Sequence, residues 1–175
     1  MKIQEVITTI NQMQAAGVIE RYAIGGAVGA TFYLEPVATL DVDVFVALKS
    51  EPGSLLISPQ PLFYYLRERG CDAKGSYIIL GEWPVQFLPP NSPLVEEALD
   101  QAITREVGGA SVRVFTAEHL AAIALQTGRA KDKARLLQFV ESGILDASRF
   151  EALVMRHGLT EAWERFGRQF LGDES

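Results

Sequence analysis

Residues 22–48 read YAIGGAVGATFYLEPVATLDVDVFVAL, and the order of features within them decides the fold. A short apolar strand, 19–24, runs into Gly25-Gly26. Residues 27–34 read as a buried helix that Pro36 stops. The chain re-emerges at 41–48, which alternates at first and then becomes wholly apolar, as an inner strand does. Residues i and i+2 of a strand face the same way. Asp41 and Asp43 therefore present two carboxylates on one face, about 7 Å apart along the strand. Like charges so placed repel unless something positive lies between them, and hard oxygen ligands suit Mg²⁺. A Gly-Gly pair at a strand-to-helix junction admits a ligand close to the backbone, and the N–H groups of a helix start favour phosphate. Taken singly, the glycines could form a tight turn and the D-x-D a solvated strand end. In this order they make the minimal equipment for phosphoryl or nucleotidyl transfer.

Composition bounds the rest. The 175 residues suit one domain of ordinary size or one with a small appendage, and 48% hydrophobic content is enough for a core. Net charge is −6, so no broad electrostatic footprint for nucleic acid is visible, although a local basic patch can sit on an acidic protein. The single cysteine, Cys71, has no internal disulfide partner and points to a reducing compartment. No apolar run approaches the roughly 20 residues that span a bilayer, and the N-terminus lacks a continuous apolar h-region. These features give the expectation of a cytoplasmic protein with no membrane partner.

Further along, residues 3–15 space Ile3, Val6, Ile7, Ile10 and Met13 as an amphipathic helix. A loop at 49–60 precedes a helix at 61–69. Strands at 76–80 and 83–88 flank Gly81-Glu82 as a hairpin, and strands at 104–107 and 111–115 flank Gly108-Gly109 as another. Between them, 93–102 reads as a helix capped by Ser92. After Phe115 the pattern is helical throughout: 116–127, a helix with its apolar face at 136–140, 146–155 and 160–170. The expected organisation is a mixed α/β core at 1–115 and a C-terminal helical region at 116–175. His119 and His157 have no companions at metal spacing and read as helix-surface histidines. Trp83 and Trp163 read as packing residues.

Gly-Gly, a helix, then D-x-D on an apolar strand resembles the nucleotidyltransferase superfamily built on the polymerase-β-like core. The tail FTAEHLAAIALQTGRAKDKARLLQFVESGILDASRFEALVMRHGL resembles the helical region of its minimal bacterial members, the AbiEii/AbiGii-toxin-like proteins. The resemblance covers nearly the whole chain. It implies an α+β fold: a mixed β-sheet flanked by helices, with a C-terminal helical bundle and nucleotide plus Mg²⁺ (or Mn²⁺) in the cleft between. By the same resemblance Gly25 and Gly26 match phosphate-facing glycines, and Asp41 and Asp43 match catalytic, metal-binding carboxylates. Thr39 matches a threonine often found two residues before the D-x-D. Arg129 and Lys131, in GRAKD with Asp132, fall where relatives carry a basic cluster that faces the phosphates; a solvated inter-helix loop is the plain alternative.

Three positions depart from the pattern. The strand that normally brings a third carboxylate is WPVQFLPP, and its matching position is Gln86, which carries no charge and cannot act as a base at neutral pH. Glu82 could substitute only if its turn brought it inward. Val37 and Leu40 stand where relatives often place basic residues. The segment 27–40 is at the long end of the usual spacing. The departures leave several readings: a working transferase that moves a nucleoside monophosphate from a nucleoside triphosphate to an unknown acceptor hydroxyl (small molecule, protein or RNA end), or a degenerate nucleotide-binding or regulatory module. A third is a toxin–antitoxin component whose helical tail meets a protein partner or forms a homodimer.

Overall fold

The computed structural model describes residues 3–36, 41–48 and 58–172. Val37, Thr39 and Leu40 lie outside them, as do residues 49–57 of the expected loop. The described elements run α1 (Ile3–Ala15), β1 (Arg21–Ile24), α2 (Gly26–Ala30), β2 (Val42–Ala47), α3 (Gln60–Glu68), β3 (Asp72–Lys74), β4 (Tyr77–Leu80), β5 (Trp83–Leu88) and α4 (Pro93–Asp100). They continue as β6 (Ile103–Val107), β7 (Ala110–Val114), α5 (Ala117–Thr127), α6 (Ala130–Ser142), α7 (Ala147–Arg156) and α8 (Thr160–Phe166), the last extended by a π-helical turn at Gly167–Leu171. The strands form one seven-stranded mixed sheet in the order β3-β4-β5-β2-β1-β7-β6. This is the α+β architecture that the opening stretch implies.

Alternation along the central strands divides the interior. Val42, Val44 and Val46 of β2, with Tyr22 and Ile24 of β1, pack against Val6, Ile7, Ile10 and Met13 of α1 and Leu62 and Leu66 of α3. The opposite face meets α4 and the C-terminal helices: Ala23, Leu94, Leu99 and Phe115 share one core with Leu136, Phe139, Phe150 and Leu153. Trp163 packs onto that core between Phe150 and Phe166, and Trp83 packs onto the other. Both tryptophans pack against a core, as the sequence reading has them.

Several elements differ from expectation, each for a local reason. The helix expected over 27–34 is regular only to Ala30. Thr31 donates its hydroxyl to Val28 O at 2.6 Å, and the N–H groups of Thr31 and Phe32 shift to the tighter i−3 carbonyls. Tyr33 then anchors the turn by donating its hydroxyl to Phe115 O at 2.8 Å. Strand β3 was not expected, because DAK is short, polar and exposed and has no apolar alternation to reveal it. It exists through antiparallel pairing with β4.

The histidines require a correction. His119 is 3% exposed, and both it and His157 turn inward onto Glu97 of α4. Glu97 accepts from His119 Nε2 at 2.8 Å and from Arg156 Nε at 2.8 Å, while His157 Nε2 stands 3.4 Å away. With Nε2–H directed at the carboxylate, His119 Nδ1 accepts from the Thr116 hydroxyl at 2.6 Å. Glu97 thus ties α4 to α5 and α7, a set of contacts spanning up to 60 positions that local spacing cannot show.

This node sets an acid limit. Burial holds His119 below its ordinary value of 6.5, against the pull of Glu97. The unfolded chain then takes up that proton first, so the stability due to neutral His119 is lost as pH falls below about 6.5. Burial alone would raise Glu97, but hydrogen bonds from Arg156 and His119, with the His157 imidazole close beside them, outweigh it and hold the carboxyl at about 2. Its contribution is present above the ordinary value of 4.5 and lost as pH falls toward about 2. Melting temperatures across a pH series should fall in two stages on the acid side. Glu97→Gln should remove the lower stage, and a single-stage wild-type profile would contradict the assignment.

Candidate active site

On β2 the residues facing away from the valines are Asp43, Phe45 and Ala47, with Asp41 one step before the strand. The parallel neighbour β5 sets Gln86 beside Asp43 and Leu88 beside Phe45. An uncharged amide, Gln86, therefore stands in register with Asp43. Glu82, exposed in the β4–β5 turn, does not line the cavity formed there.

The two glycines are pressed against the same strand. Gly25 donates its N–H to Asp43 O at 3.0 Å, and a Cβ on Gly25 would come within 2.8 Å of the Phe45 ring and 3.1 Å of Phe115. Gly26 has φ +59, a conformation side chains rarely adopt, and a Cβ there would overlap Asp43 Oδ2. Gly26 and Ala27 line the cavity, while Gly25 lies behind them between the two aromatic rings.

The facing wall comes from α5 and the start of α6. A cavity of about 290 Å³ lies between, lined on one side by Gly26, Asp41, Asp43 and Gln86 and on the other by Arg129, Lys131, Asp132 and Arg135. Phe45, Leu88, Phe115, Leu120 and Ile123 supply its apolar surface. Lys131 belongs to the first turn of α6, not to a loop. Asp132, 2% exposed, closes that helix start by accepting from the Arg129 backbone N–H at 3.2 Å. It also holds the Arg129 guanidinium, Nε at 2.7 Å and Nη2 at 3.4 Å, and stands 3.8 Å from Arg135 Nη1. Arg135 is a cavity residue that the sequence reading missed. Its spacing of four from Lys131 was the available signal, since such a pair shares a helix face.

The electrostatics follow from this opposition. Burial chiefly, and then the charge of Asp41, push the Asp43 carboxyl above its ordinary value, although Lys131, Arg135 and Arg129 pull it down. The Asp132 hydrogen bond raises Arg129, with Asp43 and Asp41 adding to it. Asp43 is thus a half-buried carboxylate whose cationic neighbours do not fully compensate it. Among the described residues no group of three or more His, Cys, Asp or Glu side chains converges to hold a metal. Two carboxylates and an amide oxygen nevertheless fit Mg²⁺, which binds through one or two carboxylates plus substrate phosphates. A larger cavity of about 710 Å³ lies at the other end of β2, where Arg21 and Asp100 pair with each other. It contains neither aspartate of the D-x-D.

No family model matches the chain, and no curated protein matches it in sequence. Among solved structures, an antigenic nucleotidyltransferase-like protein from Paracoccidioides brasiliensis aligns with a TM-score of 0.59 at 13% identity, over 92% of this chain and 91% of that one. The chain has a nucleotidyltransferase-like fold. Two structures of ANT(2")-Ia also align, each with a TM-score of 0.49. The crystal structure in complex with adenylyl-2"-tobramycin is 17% identical over 91% of this chain and 98% of that one. The solution structure of this antibiotic-resistance factor is 16% identical over 93% and 97%. No helix among the described residues is long and apolar enough to cross a membrane.

Two substitutions test the geometry. Gly26→Ala must take a left-handed backbone and displace the Asp43 carboxylate, at a cost of about 1–3 kcal/mol, seen as a lower denaturation midpoint. For Asp43 the folded value lies above the ordinary 3.8, so ionisation costs stability as pH rises through that range. Asp43→Asn should therefore melt at a higher temperature than wild type at neutral pH without metal. The gain should vanish below pH about 3.8, where the wild-type carboxyl is protonated in both states.

Proposed function

We propose that the chain binds a nucleoside triphosphate with a divalent cation and transfers the nucleoside monophosphate to an acceptor hydroxyl. The observation that carries this reading is the opposition, across one cavity of a nucleotidyltransferase-like fold, of Asp41 and Asp43 to Arg129, Lys131 and Arg135. Asp41 and Asp43 are the residues that would hold Mg²⁺ or Mn²⁺, and the bound ion would supply charge neutralisation at the phosphates. Gly26 and Ala27 let phosphate oxygens approach the backbone. Lys131 and Arg135 face those oxygens, and Arg129 does so in an orientation fixed by Asp132, so little reorganisation is needed at reaction. The apolar surface from Phe45, Phe115 and Ile123 limits water at the reacting centre. In the transfer, the acceptor oxygen bonds to the α-phosphorus as its bond to the bridging oxygen breaks and pyrophosphate leaves. Gln86 takes no proton, so the hydroxyl proton passes to water or to a substrate phosphate oxygen.

One observation favours a second reading. An amide in register with Asp43 removes the strand-borne base, which suits a chain that binds nucleotide without turnover. Such a chain would act as a regulatory or protein-interaction module, and the resemblance of the tail to AbiEii/AbiGii-toxin-like proteins makes a toxin–antitoxin role the specific form of it. Met155 and Phe170, exposed on the C-terminal helices, are surface available to a protein partner.

A thermal-shift series with the four nucleoside triphosphates, with and without Mg²⁺, tests the site. Ligand at 100 times its dissociation constant adds about 2.7 kcal/mol, which raises the melting temperature of a chain this size by roughly 5–10 °C. The shift should require Mg²⁺ and should disappear in the Asp41→Ala/Asp43→Ala chain. Retention of the shift in that double variant would refute the site. Transfer of an α-phosphate label to an acceptor then separates the two readings: binding without transfer supports the module.

A further inference from the structure

Phosphoryl transfer on two ions holds them about 3.5–4 Å apart, and at that distance two dications need several anionic oxygens between them. The cavity supplies few. Asp41 and Asp43 face it, but the next position in register is the uncharged Gln86. The remaining carboxylate in the lining, Asp132, is buried and already engaged by Arg129 through three hydrogen bonds, with Arg135 close by. The opposite wall adds three positive side chains to the same small space. One dication balances the two aspartates. A second would find no carboxylate in the lining beyond these two and the engaged Asp132, and would rest on the substrate's phosphate oxygens alone.

Resting on the nucleotide reading above, we propose that this site takes one divalent cation per nucleotide, and that Lys131 and Arg135 provide at the phosphates the positive charge a second ion would bring. Lys131 is an exposed first-turn residue of α6, and Arg135, on the same face one turn on, is mostly covered. Neither is locked as Arg129 is, so both can follow the phosphates as they bind. The uncharged Gln86 and the basic face of α6 are then two parts of one arrangement.

The test counts ions. The full chain is dialysed against Mn²⁺ and the non-hydrolysable α,β-methylene analogue of the nucleoside triphosphate that gives the largest thermal shift. Bound Mn²⁺ is read by electron paramagnetic resonance and bound nucleotide by absorbance. One Mn²⁺ and one nucleotide per chain is the expected result. Two Mn²⁺ per nucleotide would overturn the inference and leave the nucleotide reading standing, whereas no bound nucleotide would overturn both. Gln86→Asp should raise the count to two; a count still at one would remove Gln86 as the cause. Lys131→Ala should weaken nucleotide binding about tenfold in the wild-type background and clearly less in Gln86→Asp, where a second ion takes over. Equal losses in both backgrounds would overturn the role given to Lys131.

Discussion

Strand β2 is hydrogen-bonded along both edges, antiparallel to β1 and parallel to β5, and everything at the site depends on that double constraint. A strand paired on one edge can slip or twist; one paired on both cannot without breaking two ladders. A slip of one residue would send Val42, Val44 and Val46 out of the α1/α3 core, so the core enforces the register. The same register fixes Asp43 beside Gln86 and puts its carbonyl within reach of the Gly25 N–H. Core packing on one face thus fixes the carboxylates on the other.

The cost of the arrangement falls on Asp43, half-buried near Asp41 and kept from ionising easily. The fold tolerates this because α6 approaches with cations, and α6 can begin there because a buried aspartate closes its first turn. Asp132 has two tasks at once. It satisfies an N–H at the helix start, and it aims a guanidinium. A surface salt bridge between an arginine and an aspartate three residues apart contributes little to stability, but the 2% exposure of Asp132 makes this one a positioning contact.

The sequence made the site legible where its information was local. Alternation in DVDVFVAL identified the inner strand and the shared face of Asp41 and Asp43. Glycine and proline punctuation identified most element boundaries, and Ser92 caps its helix where expected. What was not legible depends on distance along the chain. His119 and His157 look like surface residues until Glu97 of α4 is brought up against α5 and α7. Arg135 looks like one basic residue among several until α6 is laid across the cleft. Strand β3 has no apolar signal of its own and exists by pairing. The role expected of Thr39 falls outside the described residues.

The seven-stranded sheet also separates two jobs physically. On one side, α1 and α3 complete a core that contributes no side chain to the cleft lining. On the other, α5 and α6 both close a core and form the cleft's outer wall. Substitutions on the outer side can therefore reshape what the cleft admits while the strand carrying the aspartates stays anchored from behind. The sheet works as an insulator between the half that anchors the aspartates and the half that shapes the cleft.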